Sequence, residues 1–333
     1  MRKLIIFSTL LLLSAVVGCM PRSSKDGHLY IISTNDVHAT IDALPRLATL
    51  VAVYEERGEV LLVDSGDRVS GNAYVDDAAE PGVPLIEIMN DMGYDVATLG
   101  NHEFDKGSQV LDAMIDAAEF DVVCANVTAK SGAKQPLHYT VIEKMGVEIG
   151  VVGVVDTDNG GFPLGGKKAY ENYDFTSDVE TAYEVCGVVA QECDFVVLLS
   201  HMGWQSDRRL AESGVACQWI AGGHSHDLKN EDVCGVHISQ NVKNIRYATV
   251  ADLEVVDGAI VSVAYNQVNL SDVEPDCRFV ERVEVLKASD KELNSVVGYA
   301  TAAATKEGVA NFTIASLAGC PYEDGFVPEV TFY

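Results

Sequence analysis

Short apolar runs alternate along the chain with longer segments that mix apolar and polar residues. The runs are rich in Val, Ile and Leu, as strands buried on both faces are. The predicted strands are Leu29–Ser33, Val60–Val63, Val96–Leu99, Val122–Ala125, Ile149–Val155, Phe195–Leu199 and Trp219–Ala221. The predicted helices between them are Leu44–Arg57, Pro84–Met92, Ser108–Glu119, Ser177–Gln191 and Asp207–Glu212. Alternation of this kind predicts an α/β fold.

The pattern changes near Val236, after which only strands are predicted. These strands are Val236–Gln240, Tyr247–Val256 and Ile260–Leu270. Asp257-Gly258 lies between the last two and has the composition of a hairpin turn. In the helical part, Ser177 and Glu180 have the spacing of a capping box, which predicts a helix start at Ser177.

The first segment has the pattern of an export signal. A basic start, Met1–Lys3, precedes the apolar stretch Leu4–Val17, which is short for a membrane span. The segment ends Val16-Val17-Gly18-Cys19 and resembles the lipobox of bacterial lipoproteins. We therefore expect a signal peptide over 1–18, lipidation of Cys19 and a tether over 19–27. The protein would be exported and anchored to a membrane, on the periplasmic or cell-surface side. Plain secretion with cleavage elsewhere is the alternative.

Composition and net charge limit the classes of ligand that the protein is expected to bind. The chain has 333 residues, 48% of them hydrophobic, with 23 Lys and Arg against 50 Asp and Glu, a net charge of −27. Such a surface repels polyanions, so we expect no nucleic acid partner. A small phosphorylated substrate is compatible with this charge if bound cations reverse the field locally. The cysteines contain no CxxC pair, and their spacing predicts mostly buried free thiols rather than a disulfide framework.

Polar residues gather directly after five of the predicted strands. The C-terminal ends of strands in α/β folds meet at one crevice, so these residues are expected to converge. They are Asp36, His38, Asp67, Asn101, His201, His224 and His226. Imidazole, carboxylate and amide ligands without thiolate favour Mn, Zn, Fe, Co or Ni over Ca or Cu(I). Seven ligands exceed the needs of one ion but match two ions that share a carboxylate, an arrangement that clamps phosphoryl groups.

Five blocks of sequence carry a resemblance to a known family. They are Thr34–His38, Asp64–Asp67, Leu99–Asp105, Ser200–Gly203 and Gly222–His226. Together they resemble the calcineurin-like metallophosphoesterase superfamily, and within it the bacterial periplasmic 5′-nucleotidase and UDP-sugar hydrolase family. The resemblance covers about 28–272. It implies a four-layer α-β-β-α sandwich with two mixed sheets. We accordingly expect a metallophosphoesterase domain over 28–275 and a C-terminal extension, 276–333, of unassigned structure.

The resemblance also implies roles for single residues. Metal one would be held by Asp36, His38 and His226, and metal two by Asn101, His201 and His224. Asp67 would bridge the two ions. His102 would contact the phosphoryl oxygens and protonate the leaving group, oriented by Asp105 three residues later. The catalytic set is therefore His102, Asp105 and Asn101, and the nucleophile would be a hydroxide bridging the metals.

The implied function is release of phosphate from nucleotides. A phosphodiesterase or a UDP-sugar hydrolase on the same site is an alternative, as is a non-catalytic scaffold lipoprotein that pairs with a separate substrate-binding domain. Full-length members carry a second, nucleotide-binding domain, and we expect no such domain in this sequence. Three arrangements are open: selection by loops of this domain, a separate polypeptide that supplies the nucleotide-binding domain, or a pocket between copies in an oligomer. Candidate substrate contacts are Arg68, Asn72, Tyr74, Trp204 and Arg208. Arg68 is expected to bind phosphate or to be a surface cation, and Trp204 to stack a base or to pack at the rim.

Overall fold

The computed structural model describes residues 26–290, 293–294, 298–300 and 314–317. The signal peptide, Cys19 and most of the tether lie outside the described residues. The strands are β1 Gly27–Thr34, β2 Glu59–Asp64, β3 Val96–Thr98, β4 Asp121–Val123, β5 Val127–Ala129, β6 Tyr139–Lys144, β7 Val147–Val155, β8 Tyr173–Phe175, β9 Phe195–His201, β10 Trp219–Gly222, β11 Leu228–Val233, β12 Val236–Asn241, β13 Tyr247–Val256, β14 Ala259–Asn269, β15 Gly298–Ala300 and β16 Ile314–Leu317. The helices are α1 Leu44–Glu55, α2 Ala73–Asp76, α3 Val83–Met92, α4 Ser108–Ala117, α5 Asp178–Val189, α6 Trp204–Glu212 and α7 Cys277–Ser289.

Two six-stranded sheets form the centre of the fold. The first has the order β14-β13-β1-β2-β3-β4, and the second has the order β11-β12-β10-β9-β7-β6. In the first sheet β1 to β4 are parallel, and β13 and β14 are antiparallel additions. In the second sheet β7, β9, β10 and β12 are parallel, with antiparallel β6 and β11 at the edges. Both sheets are therefore mixed, as expected.

Alternation along β1 shows how the layers are made. Leu29 and Ile31 face a core shared with the second sheet, while Tyr30 and Ile32 face a core shared with the helices. Successive side chains of a strand point to opposite faces, so one apolar run fills two cores. A third core joins the outer face of the second sheet to α5 and α6. The result is the predicted α-β-β-α sandwich.

Local signals in the sequence account for several element boundaries. Ser177 caps α5 by accepting a hydrogen bond from the N–H of Glu180 at 3.4 Å. Asp257 and Gly258 both have positive φ, 50° and 75°, as a two-residue hairpin turn of this type requires. The apolar runs did not predict β6 and β11. Both are edge strands with many polar residues, and exposure alternates along β6 while β11 is mostly exposed, so neither has a continuous apolar run.

The folded domain extends beyond the predicted boundary at 275. Helix α7 begins at Cys277, and Val283 on it is 2% exposed in the core that also contains α1. Asp276 caps the helix through the N–H of Arg278 at 2.8 Å, and its own N–H donates to the carbonyl of Pro45. The start of the extension is thus part of the first helical layer. Its apolar residues are interspersed with charged ones, so no continuous apolar run marked this helix in the sequence.

Two further expectations concern membranes and thiols. No helix among the described residues is long and apolar enough to cross a membrane. The described cysteines are free, and Cys124, Cys186 and Cys217 are buried as expected. Cys234 and Cys277 are exposed, so the prediction of burial holds for only part of the set.

Candidate metal centre

The structure brings the seven predicted ligands together at one edge of both sheets. Loops after β1, β2 and β3 carry the residues of the first sheet, while the end of β9 and the loop after β10 carry those of the second. Six of the seven form two groups whose ligand atoms lie within 4.8 Å of one another in each group. One group is Asp36, His38 and His226, and the other is Asp67, His201 and His224. The seventh, Asn101, joins the second group through its amide oxygen, 3.0 Å from Nδ1 of His224.

The first group has the spacing of a shared coordination shell. Nε2 of His226 is 3.3 Å from Oδ1 of Asp36 and 3.2 Å from Nε2 of His38. Nε2 of His38 is 3.8 Å from the same carboxylate oxygen. Ligand atoms about 2.1 Å from one tetrahedral ion are about 3.4 Å apart. Nδ1 of His38 lies 3.2 Å from the carbonyl of Ser70, which leaves Nε2 free to ligate.

The second group contains a buried histidine nitrogen at which a cation would fit. Nε2 of His201 is buried and has no hydrogen-bond partner, and Oδ2 of Asp67 lies 3.0 Å away. The other ring nitrogen, Nδ1, lies 2.7 Å from the carbonyl of Ser65 and donates its proton there. Buried polar atoms are rarely left unpaired. A divalent ion between His201 and Asp67 would satisfy both atoms, and the residues present therefore fit a metal.

Charge within the site shifts the imidazole pKa values in opposite directions. Burial lowers the pKa of His201, but the Asp67 carboxylate outweighs burial and raises it to about 10. Burial, helped by the His201 charge, lowers the pKa of His224 to about 4. Burial also lowers the pKa of His38. Neutral imidazoles are the form that binds metal, so His38 and His224 are ready to ligate near neutral pH.

The backbone at the site is strained. Asp36, His38, Asp67, His224 and His226 all have φ between 45° and 75°, a region that non-glycine residues rarely occupy. Each such residue costs on the order of 1–3 kcal/mol, and the conformation persists only where surrounding contacts impose it.

Glycines at the site permit close approach between the loops. A Cβ on Gly100 would lie 2.2 Å from Oδ1 of Asp67, and one on Gly223 would lie 2.9 Å from Nδ1 of His201. Side chains at these two positions would therefore separate the loops that carry the ligands.

His102 and Asp105 form the expected dyad at the rim of the site. Nδ1 of His102 is 2.7 Å from Oδ2 of Asp105, and Nε2 lies 3.9 Å from Oδ2 of Asp67. The hydrogen bond to Asp105, aided by the Asp67 charge against the effect of burial, raises the pKa of His102 to about 9. A carboxylate only accepts, so Nδ1 donates to Asp105, and Nε2 presents a second proton toward the metal groups.

Arg68 is not a substrate contact. Its side chain is 2% exposed, and its guanidinium bonds the carbonyl of Thr98 and Oδ1 of Asp64 and lies 3.9 Å from Glu103. The expectations of a phosphate ligand and of a surface cation are both wrong. The sequence motif placed Arg68 beside Asp67, but its side chain points inward because two buried carboxylates need a counter-charge.

Replacing Arg68 by Ala is expected to destabilise the domain by about 3–5 kcal/mol, because it leaves Asp64 and Glu103 buried without a counter-charge. Arg208 offers a matched control, since it is 57% exposed and pairs with Glu212 at 3.0 Å. Its replacement by Ala should cost about 0–1 kcal/mol. Urea unfolding of both variants measures the difference, and equal losses would contradict the assignment of Arg68 as a buried counter-charge.

The other predicted substrate contacts have partners within the chain. Asn72 caps α2 by accepting the N–H of Tyr74 at 3.1 Å. The Tyr74 hydroxyl donates to Asn294 at 3.0 Å. The Trp204 ring lies 4.5 Å below the ammonium of Lys229, a cation–π contact. Substrate contacts by Asn72 and Trp204 stay predictions.

Sequence reasoning missed Glu103, which holds two ligand loops together. Its carboxylate is 1% exposed and accepts the N–H groups of Asp67 at 2.9 Å, Arg68 at 2.7 Å and Gly100 at 2.6 Å. Asn35 also supports a ligand residue, because its side-chain amide donates to Oδ2 of Asp36 at 2.6 Å. The available signal for Glu103 was a charged residue directly before Phe104 in a segment that must be buried.

The chain is similar in sequence to known proteins. The family model for calcineurin-like phosphoesterases matches residues 29–228. The chain is 32% identical over 247 residues to the trifunctional nucleotide phosphoesterase protein YfkN of Bacillus subtilis, covering 62% of this chain and 16% of YfkN. It is 28% identical over 243 residues to the 5′-nucleotidase of Rattus norvegicus, covering 65% of this chain and 41% of that protein. The chain thus spans less than half the length of these relatives.

Solved structures agree with the fold. The 5′-nucleotidase precursor from Thermus thermophilus superposes with a TM-score of 0.70 at 22% identity, covering 81% of this chain and 61% of that one. The calcineurin-like phosphoesterase YfkN structure from Bacillus subtilis gives a TM-score of 0.67 at 25% identity, covering 80% and 98%. Because the family model spans more than half of the sequence, the chain belongs to the calcineurin-like phosphoesterase family.

Proposed function

We propose that the chain is a metal-dependent phosphohydrolase that releases phosphate from nucleotides. The observation that carries the proposal is the meeting of two ligand groups beside the hydrogen-bonded pair of His102 and Asp105. When bound, two divalent cations supply positive charge that polarises a phosphoryl group and acidifies water. The names of the relatives, 5′-nucleotidase and nucleotide phosphoesterase, support a nucleotide as the substrate.

The chain's own groups would hold the cations and handle one proton. Asp36, His38 and His226 hold one ion, and Asn101, His201 and His224 hold the other. Asp67 would be the shared ligand: its Oδ2 lies 3.0 Å from Nε2 of His201 in the second group, and its charge also acts on His38 in the first group.

His102 is the proton donor in this proposal. Its Nε2–H faces the metal groups, so it would bind a phosphoryl oxygen and give a proton to the leaving oxygen. Asp105 holds the ring through Nδ1 and itself accepts the Ser70 hydroxyl at 2.7 Å. A histidine kept protonated by a neighbouring carboxylate is suited to this work near neutral pH.

The first test is metal-dependent phosphate release. The chain without the first 24 residues, stripped of metal and then given Mn²⁺, is expected to hydrolyse AMP. An aryl phosphate and a bis-aryl phosphodiester are run in parallel. AMP turned over well above the aryl ester would support nucleotide specificity, whereas diester turnover alone would favour the phosphodiesterase alternative. No turnover of any ester by chain with bound metal would support the scaffold alternative.

Lipidation of Cys19, export and a separate nucleotide-binding chain as partner stay predictions. Cys19 lies outside the described residues. Mass spectrometry of the membrane fraction tests the anchor, since an acylated N-terminal Cys19 is the expected product.

A further inference from the structure

One short loop supplies ligands to both metal groups. The loop, residues 223–227, follows β10, and His224 belongs to the second group while His226 belongs to the first. Both ligands have left-handed backbones, with φ of 75° and 56°. The loop directs alternate side chains to the two metal groups, and its backbone is strained. Such a conformation persists only if other contacts hold the residues between the ligands.

A single side chain from β12 supplies those anchors. Gln240 is 0% exposed, and its Nε2 donates to the carbonyl of Gly223. Its Oε1 accepts the hydroxyl of Ser225 at 2.9 Å and the N–H of Asp227 at 2.6 Å. The anchored residues 223, 225 and 227 therefore alternate with the ligands 224 and 226.

A further hydrogen bond of Ser225 connects this loop to the loop after β9. Oγ of Ser225 also accepts the N–H of Trp204 at 3.0 Å, and Trp204 lies three residues after the ligand His201. Holding Ser225 therefore fixes the loop after β10 against the loop after β9. A primary amide is suited to this position because it carries both a donor and an acceptor.

We propose that Gln240 is a positioning residue that sets the separation of the two metal groups. It makes no contact with a ligand atom and acts through the backbone of the loop. This inference rests on the metal ligands of the proposed function. Replacing a residue that orients metal ligands without touching the metal typically lowers metal affinity by roughly 10–100-fold.

The test compares Gln240→Leu with Gln135→Leu by calorimetric titration of Mn²⁺ into metal-free chain. Gln135 is a matched control because it also accepts an N–H, from Ala129 at 2.8 Å, and donates to the carbonyl of Val127 at 2.9 Å. Neither contact involves a metal group. We expect Gln240→Leu to weaken Mn²⁺ binding about 10–100-fold, and Gln135→Leu to leave it unchanged. Melting of the metal-free variants measures the loss of stability separately.

A third variant, Gln240→Glu, keeps the acceptor for Ser225 and Asp227 but cannot donate to Gly223 when ionised. Its affinity should fall between those of the unaltered chain and Gln240→Leu, and it carries the comparison if the Leu variant does not fold. Unchanged Mn²⁺ affinity in both Gln240 variants would overturn the positioning role while leaving the proposed function intact. Failure of the unaltered chain to bind Mn²⁺ would overturn the proposed function and this inference together.

Discussion

Replacing Asp67 by Asn is expected to lower Mn²⁺ occupancy and to reduce phosphate release on the order of 10³-fold. The estimate follows because bound cations contribute several kcal/mol of transition-state stabilisation, and about 1.4 kcal/mol is a factor of ten in rate. Asp67 is 2% exposed, and its Oδ2 faces His201 at 3.0 Å. Burial raises the pKa of this carboxyl, but the positive charge of His201 outweighs burial and lowers the pKa well below its ordinary range. The carboxylate is therefore ionised at any working pH, and the Asn amide would remove its charge.

The control for this variant lies on the same sheet. Asp95 precedes β3, at the opposite end of the strand from Asn101, and accepts the N–H of Leu62 at 2.8 Å. Asp95→Asn should keep full metal content and activity with a small loss of stability. Elemental analysis of metal per chain and phosphate release are measured on both variants. Full metal content and activity in Asp67→Asn would remove Asp67 from the proposed centre.

The convergence of the candidate ligand residues could be predicted because their signal is local. Each one follows an apolar strand within a few residues, and parallel strands bring such positions to one edge regardless of their distance in sequence. Asp36 and His226 thus meet at 3.3 Å although nearly the whole domain separates them in sequence. The layered fold was expected from the family resemblance, and alternation along β1 shows how one strand fills two of its cores.

The supporting residues were not predictable, because their roles depend on which loops become neighbours. Glu103 serves the loop that carries Asp67, and Gln240 serves the loop after β10. Nothing in the local sequence of either residue reveals such a partner. Arg68 illustrates the converse error: it lies beside a ligand in sequence, yet its side chain is directed to Asp64 and Glu103 in the interior.

Replacing His102 by Ala is expected to lower kcat by about 10²–10⁴, the usual contribution of a positioned acid or base. Metal content should stay that of the unaltered chain, because His102 belongs to neither metal group. His28 is a matched control: its ring is 44% exposed and pairs with Asp252 at 2.6 Å. His28→Ala should leave kcat unchanged. A loss of metal in His102→Ala equal to the loss of activity would contradict a role in proton transfer.

A change at Asp105 tests how His102 acts rather than whether it matters. With Asp105 present, the pKa of His102 is raised to about 9, so the proton stays bound until the pH approaches that value. Asp105→Asn keeps a hydrogen-bond acceptor but removes the charge, so the pKa of His102 should fall. As the pH is raised, activity that depends on the protonated form of His102 would then begin to decline at a lower pH than in the unaltered chain.

The measurement is the pH profile of kcat for Asp105→Asn and the unaltered chain at matched Mn²⁺ content. Any lowering of the His102 pKa by bound cations affects both chains alike, so the difference between their profiles reports Asp105. A basic limb that moves to lower pH would support His102 as the donor of a proton to the leaving group. An unmoved limb with reduced kcat would mean that Asp105 only orients the ring, and that proton transfer at this pH does not depend on His102.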